Sequence, residues 1–213
     1  MYELLTHDKD VLGEACGIFA GDGSLYATAR SYVLEVRGSR DELPYYSAYV
    51  KPLFEKLFSR KLVMIRRSYG KGHVIGIRVC GKEAMRLFHT FLEFPIGKRA
   101  HNVKIPKLVF NNHECWKAYV RGVFDTDGSV YLRRTGKNYK NPIIEISSRS
   151  IAHLLQLREI LRDLGFAFWL EKGNFKIRIA GRKNVERFFK EINPHNNAQL
   201  ERYRKIMLRW PSG

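Results

Sequence analysis

Apolar residues recur at helical spacing over Asp8 to Gly21, where Val11, Cys16, Ile18 and Phe19 share a face. They do so again over Glu114 to Thr126, through Trp116, Tyr119, Val120, Val123 and Phe124. Both stretches end on Asp-Gly, at Asp22-Gly23 and Asp127-Gly128. Polar and apolar positions then alternate through Ser24 to Thr28 and Tyr32 to Val36, and likewise through Ser129 to Arg133 and Ile143 to Ser147. That alternation predicts a β-hairpin after each helix. Helical spacing resumes over Tyr46 to Phe58 and over Ile151 to Leu164, the latter closed by Gly165 where a left-handed residue is expected. A second hairpin follows each helix, Leu62 to Arg67 with His73 to Val79, and Phe166 to Glu171 with Phe175 to Ile179. Closing helices are predicted from near Lys82 and near Lys183.

The same order of elements occurs twice, and short identities repeat with it. Asp22-Gly23-Ser24-Leu25-Tyr26 is answered by Asp127-Gly128-Ser129-Val130-Tyr131, 105 residues on. Ile77-Arg78-Val79-Cys80-Gly81-Lys82 is answered by Ile177-Arg178-Ile179-Ala180-Gly181-Arg182, 100 residues on. Two collinear matches at nearly equal offsets indicate a duplicated unit of the α+β class, αββαββα twice, with four antiparallel strands per copy. The division expected is residues 1–100, a basic linker at 101–113, and residues 114–213. Phe88, Phe91, Phe110, Phe188 and Phe189 stand at helical spacing and are expected in the core rather than as stacking platforms.

Charge narrows the function. The 213 residues hold 38 Lys and Arg against 21 Asp and Glu, a formal net charge of +17, so a polyanionic partner is expected. No apolar run is long enough for a membrane helix, and no membrane partner is expected. Three cysteines without C-x-x-C spacing suggest neither a disulfide framework nor a cysteine zinc site. With no signal or transit segment at the N-terminus, a reducing, cytoplasmic location is expected.

The helix ends read Ala15-Cys16-Gly17-Ile18-Phe19-Ala20-Gly21-Asp22-Gly23 and Val120-Arg121-Gly122-Val123-Phe124-Asp125-Thr126-Asp127-Gly128. Gly13, Gly17 and Gly21 recur every four residues, as do Ala118 and Gly122, so one face of each helix is small enough for two backbones to approach. Packing those faces brings Asp22 and Asp127 together at two negative helix ends, an arrangement that asks for a hard cation such as Mg²⁺.

This pair of motifs resembles the LAGLIDADG homing endonucleases in their single-chain form, and the likeness covers nearly the whole chain. The resemblance implies motif helices packed at a pseudo-twofold seam and two antiparallel sheets forming a DNA-binding saddle. It implies Asp22 and Asp127 as metal-binding catalytic carboxylates, helped by the backbone carbonyls of Gly21 and Thr126. One phosphodiester in each strand of a long, low-symmetry duplex would be hydrolysed, leaving short 3′ overhangs. Mg²⁺ is the expected ion, with Mn²⁺ able to replace it and Ca²⁺ supporting binding without cleavage. Lys98 and Lys104 are the candidates for a catalytic lysine; the second copy has His195, Asn196 and Asn197 where its counterpart is sought. The sixth motif place, Ala20 in one copy and Asp125 in the other, is not expected to carry the metal.

Strand alternation assigns the DNA-facing set. In the first copy it is Tyr26, Thr28, Arg30, Glu35, Arg37, Arg66 and Arg78, with Arg40 just after the second strand. In the second it is Tyr131, Arg133, Glu145, Ser147, Lys176 and Arg178, with Arg149 after the strand and Arg134 in a basic loop suited to phosphate contact. Such residues specify bases in the major groove and hold phosphates. The expected protein is a monomer. The competing readings are an RNA maturase acting on intron RNA, and a non-cleaving DNA-binding regulator, which retention of both aspartates disfavours.

Overall fold

The computed structural model describes residues 8–69, 72–97, 101–135, 139–171, 173 and 175–208. Helix α1 (Lys9–Asp22) is started by Asp8, whose side chain accepts a 3.0 Å hydrogen bond from the Val11 amide. It runs into β1 (Gly23–Ala27) and β2 (Tyr32–Ser39). A 3₁₀ turn, Arg40–Glu42, leads to α2 (Leu43–Tyr45), a π-helical turn over Tyr46–Val50, and α3 (Lys51–Phe58). The π turn has a local cause: Pro52 has no N–H for the Ala48 carbonyl and its ring crowds it, so the ladder widens and the Lys51 amide reaches the Tyr46 carbonyl. Strands β3 (Val63–Tyr69) and β4 (Gly72–Cys80) follow, then α4 (Lys82–Met85), which continues as a π-helical turn over Arg86–Phe91.

The short α5 (Lys107–Phe110) and a 3₁₀ turn, His113–Cys115, lead to the second motif helix, α6 (Trp116–Asp127). The second copy then repeats the first with β5 (Gly128–Thr135), β6 (Tyr139–Ser147), α7 (Ile151–Asp163), β7 (Trp169–Glu171), β8 (Lys176–Ala180) and α8 (Arg182–Glu191). A further helix, α9 (Asn197–Leu208), has no forerunner in the sequence reading. The two antiparallel sheets have the orders β1-β2-β4-β3 and β5-β6-β8-β7. The duplicated αββαββα architecture is therefore present as expected. Gly165 takes φ +74°, as its place after α7 requires.

The last hairpin differs from expectation. Its first strand starts at Trp169 rather than Phe166, because the Phe166 amide bonds to the Leu161 carbonyl and completes the end of α7. The helix-facing sides of both sheets, with Leu25, Leu34, Val36, Ile77, Ile144, Ile146 and Ile177, lie in one hydrophobic core. Phe19 of α1 packs on Phe88 and Phe94 at centroid distances of 4.6 and 4.7 Å, and Phe124 of α6 on Phe188 and Phe189 at 5.1 and 5.7 Å. Phe91, expected in that core, is 40% exposed beneath the Arg86 guanidinium. Phe110 is only partly buried. No helix among the described residues is long and apolar enough to cross a membrane.

Candidate active site at the helix seam

Helices α1 and α6 meet along their small residues. A Cβ added to Gly13 would lie 2.4 Å from the Cys115 carbonyl oxygen, and one on Gly17 2.2 Å from that of Tyr119. One on Gly21 would lie 2.1 Å from Thr126 Oγ1 and 3.2 Å from Asp127 Oδ2. The three contacts step down the seam and end at the two Asp-Gly corners, so the last turn of α1 touches the Asp127 carboxylate.

Gly23 and Gly128, the residues after the aspartates, have extended φ of −79° and −95°. What these positions require is space: a Cβ would fall 2.1 Å from the Phe19 ring and 2.3 Å from the Phe124 ring. The chain therefore turns from helix into strand directly over its own phenylalanine, which fixes where each aspartate ends up.

Tyr46, in the π turn, donates a 2.7 Å hydrogen bond to Asp22 Oδ2 and is fully buried. Burial, then the charge of Asp22, pushes this phenol well above its ordinary value, and Asp127 adds to the effect. Tyr46 thus stays a donor, and both motif carboxylates act on it. Nothing in the sequence singled Tyr46 out, although the nearby Pro52 marks an irregular helix. The Thr126 hydroxyl bonds back to the Gly122 carbonyl at 2.9 Å, and Ser147 Oγ donates at 3.4 Å to the Asp127 carbonyl.

Asp125 and Ala20 differ for a visible reason. The Asp125 carboxylate accepts from the backbone N–H groups of His195 (2.8 Å) and Asn196 (3.1 Å) and is 1% exposed. Burial pushes its carboxyl up to about 7, against the two donors that favour the ionised form. The backbone N–H groups of His195 and Asn196, considered in place of a second lysine, are thus held by Asp125, while the His195 imidazole faces Glu14 and Asn196 also caps α9 through Ala198. The next lysine along the second copy, Lys205, lies in α9, exposed and 4.0 Å from Glu201.

Of the candidate lysines, Lys98 lies outside the described residues. Its neighbour Gly97 bonds to the Leu25 carbonyl of β1 at 3.0 Å, three positions along the chain from Asp22. Lys104 is exposed between buried Val103 and Ile105, in a recess with Glu93 and Gln156.

Each open sheet face carries the same line of residues. Ser24, Glu35, Arg78 and Val63 stand side by side across four strands, and Ser129, Glu145, Arg178 and Trp169 repeat the line. Arg78 Nε is 2.6 Å from Glu35 Oε1, while Arg67 and Arg37 approach the same carboxylate at 3.5 and 3.6 Å. Glu145 accepts from Arg178 Nε (2.7 Å) and Tyr131 (2.9 Å) and pairs with Lys176 (2.7 Å). Burial pushes Glu145 up, but these partners outweigh it and hold the carboxyl below its ordinary value. The two glutamates expected to read bases are thus neutralised by the basic residues expected beside them.

Arg37 also bonds to the Tyr26 hydroxyl at 2.6 Å. Arg40 and Arg66 border a recess with Arg67 and His73. Arg133 and Arg149 are exposed, and the Arg134 side chain lies outside the described residues. Thr28 and Arg30 are not on the sheet: both sit in the β1–β2 turn, where Thr28 Oγ1 accepts from the Arg30 and Ser31 amides.

Comparison with known proteins agrees with this geometry. The family model described as the WhiA LAGLIDADG-like domain matches residues 14–69, and the LAGLIDADG-like domain matches residues 114–193. A curated relative, elongation factor 2 of Methanopyrus kandleri, is 24% identical over 148 residues, 68% of this chain, and the chain spans 11% of that protein's length.

Among solved structures, mesophilic variants of the homing endonuclease I-DmoI align with a TM-score of 0.60 at 14% identity, over 89% of this chain and 98% of theirs. I-DmoI with DNA and Mn aligns at 0.59 and 16%, over 86% and 96%. I-LtrWI bound to target DNA aligns at 0.61 and 13%, over 95% and 90%. These likenesses show the two-sheet fold, and with a motif helix at the start of each repeat and a family match in each half, the chain carries two LAGLIDADG-like domains in a single-chain arrangement with two motifs.

Proposed function

We propose that the protein is a site-specific endonuclease that hydrolyses one phosphodiester in each strand of a long DNA duplex, using divalent metal. The observation that carries the reading is the meeting of the Asp22 and Asp127 corners at the negative ends of two helices packed backbone to backbone. Two carboxylates at that place, flanked by the carbonyls of Gly21 and Thr126, offer the hard oxygen donors that suit Mg²⁺ or Mn²⁺. When bound, such an ion lowers the pKa of an attacking water and neutralises charge on the phosphate and leaving oxygen. I-DmoI and I-LtrWI, named as bound to DNA and in one case with Mn, support the reading by their shared fold.

The chain's own groups supply the rest. Tyr46 fixes one Asp22 oxygen by its 2.7 Å hydrogen bond. Exposed arginines and lysines on and around the sheets hold the backbone phosphates, so binding weakens steeply with salt. In this reading residues 1–100 and 114–213 each bring one aspartate and one sheet, joined by 101–113, and the protein acts as a monomer.

The test is to incubate the protein with a library of random duplexes in Mg²⁺ and in Ca²⁺ and to sequence cut ends and bound DNA. Asp22→Asn and Asp127→Asn are run alongside. Staggered cuts with short 3′ overhangs at one long site, absent or reduced to nicks in the variants, are expected. Full double-strand cutting by either variant removes its aspartate from the mechanism. Selective binding without cutting supports the regulator, and capture of structured intron RNA alone supports the maturase.

A further inference from the structure

Two turns back along α1 from Asp22, Glu14 is 1% exposed although it carries a carboxylate. Its Oε2 accepts from Arg121 Nη1 (2.9 Å) and the Tyr49 hydroxyl (2.8 Å), while Oε1 faces His195 Nδ1 at 2.9 Å. Asp125 lies beside it, each of its oxygens accepting one backbone N–H and keeping a lone pair. One ligand atom each from Glu14, Asp125 and His195 fall within 4.8 Å of one another.

A second, independent feature points into the same place. Tyr45 is 2% exposed, its hydroxyl has no hydrogen-bond partner among the described residues, and Asp125 and Glu14 are its charged neighbours. A buried hydroxyl left unpaired beside two carboxylates costs stability unless something occupies the space between them. Even with Arg121 counted, the two carboxylates leave one negative charge uncompensated when both are ionised.

We propose that Glu14, Asp125, His195 and the Tyr45 hydroxyl form a second metal site, separate from the Asp22–Asp127 pair, that takes a first-row divalent ion of the zinc type. One imidazole nitrogen with oxygen donors suits Zn²⁺ better than Mg²⁺ or Ca²⁺. Ligands about 2.0–2.1 Å from a tetrahedral ion stand about 3.3 Å apart, and the Glu14, Asp125 and His195 atoms, within 4.8 Å of one another, need contract only modestly to reach that. The ligands come from α1, α2, α6 and the residues just before α9, so the ion fastens the C-terminal helix across the seam. The site is structural and does not depend on the protein cutting DNA.

The test uses the full chain carrying Asp22→Asn and Asp127→Asn, which removes the carboxylates of the other site. After chelator stripping and desalting, this protein is expected to take up one Zn²⁺ per chain and to give the visible absorption of four-coordinate Co²⁺. Zn²⁺ at a hundredfold excess over its dissociation constant is expected to raise the melting temperature by about 6 °C. Adding His195→Ala abolishes all three signals. Adding Tyr45→Phe, which keeps the packing, weakens uptake by about tenfold or more, tenfold being the low end even for loss of a partner that only supports a ligand. Absence of Zn²⁺ uptake overturns the proposal, as does equal uptake with His195→Ala or undiminished affinity with Tyr45→Phe.

Discussion

Gly17 of α1 and Gly122 of α6 touch backbone to backbone: a Cβ on Gly17 would stand 3.1 Å from Gly122 Cα, and one on Gly122 3.0 Å from the Gly17 carbonyl carbon. The seam that positions both aspartates therefore rests on two missing methyl groups. Gly122→Ala would also drive a Cβ to 2.5 Å from the Glu14 carbonyl oxygen and 2.6 Å from the Ile18 amide, neither of which can rotate aside. We expect Gly17→Ala and Gly122→Ala each to destabilise by about 1–3 kcal/mol or more, by the usual cost of overpacking. Urea denaturation measures this, and an unchanged midpoint would show that the helices slide apart freely.

Tyr46→Phe keeps the ring in its slot beside Gly38 and deletes the bond to Asp22 Oδ2. Stability should fall by about 1.5–3 kcal/mol, as for one lost hydrogen bond to a charged group. Cleavage should become lopsided. The aspartate that loses its anchor slows cutting of one strand, so nicked circular plasmid builds up before linear product. Equal slowing of both strands would deny Tyr46 a role confined to Asp22.

Glu35 holds Arg37, Arg67 and Arg78 by one carboxylate that is 2% exposed. Glu35→Gln removes the negative charge and leaves those guanidiniums to seek phosphates. We expect about threefold tighter binding to random duplex at ~0.1 M salt, and a steeper salt dependence by about one counterion. Fluorescence anisotropy across a salt series measures both; weaker binding of random DNA would mean the arginines collapse once Glu35 is gone.

For Glu145 the pH dependence has a definite sign. Its folded-state carboxyl lies below the ordinary value, so the stabilisation from Lys176, Arg178 and Tyr131 is fully present above the unfolded-state pKa. It is lost as pH falls through the folded value. Glu145→Gln should therefore cost about 1–3 kcal/mol at pH 7, and the difference from the parent protein should shrink in acid below about pH 4. Paired urea titrations at the two pH values check this, and a gap that widens in acid would reverse the assignment.

Much of this was legible in the sequence because the signals were local and doubled. The Asp-Gly helix ends, the four-residue spacing of small residues and the alternation in the hairpins each follow from periods of one chain segment. Other features arise from contacts between distant residues. Glu14 meets His195 181 positions away, and no spacing rule announces a buried carboxylate on an otherwise apolar face. Helix α9 went unread because its apolar stripe, Leu200, Tyr203, Ile206 and Met207, is interrupted by Arg202, Arg204 and Lys205, and of its twelve residues only Gln199 and Ile206 are buried. Phe166 looked like strand because it is aromatic and follows a glycine, yet its amide belongs to the preceding helix.

The Glu14–Arg121 ion pair crosses the seam, linking residues 107 positions apart with side chains only 2% and 14% exposed. That has a consequence for how such proteins recombine. A hybrid assembled from this first half and the second half of a relative keeps the glycine ladder if both parents have small residues there. It nevertheless inherits a carboxylate whose counter-ion was left behind. An unpaired charge so enclosed costs about 3–5 kcal/mol, a large share of what holds a single domain together. Exchange of halves, in evolution or at the bench, is thus gated by one charged pair as much as by the fit of the helices, and Arg121 has to travel with Glu14.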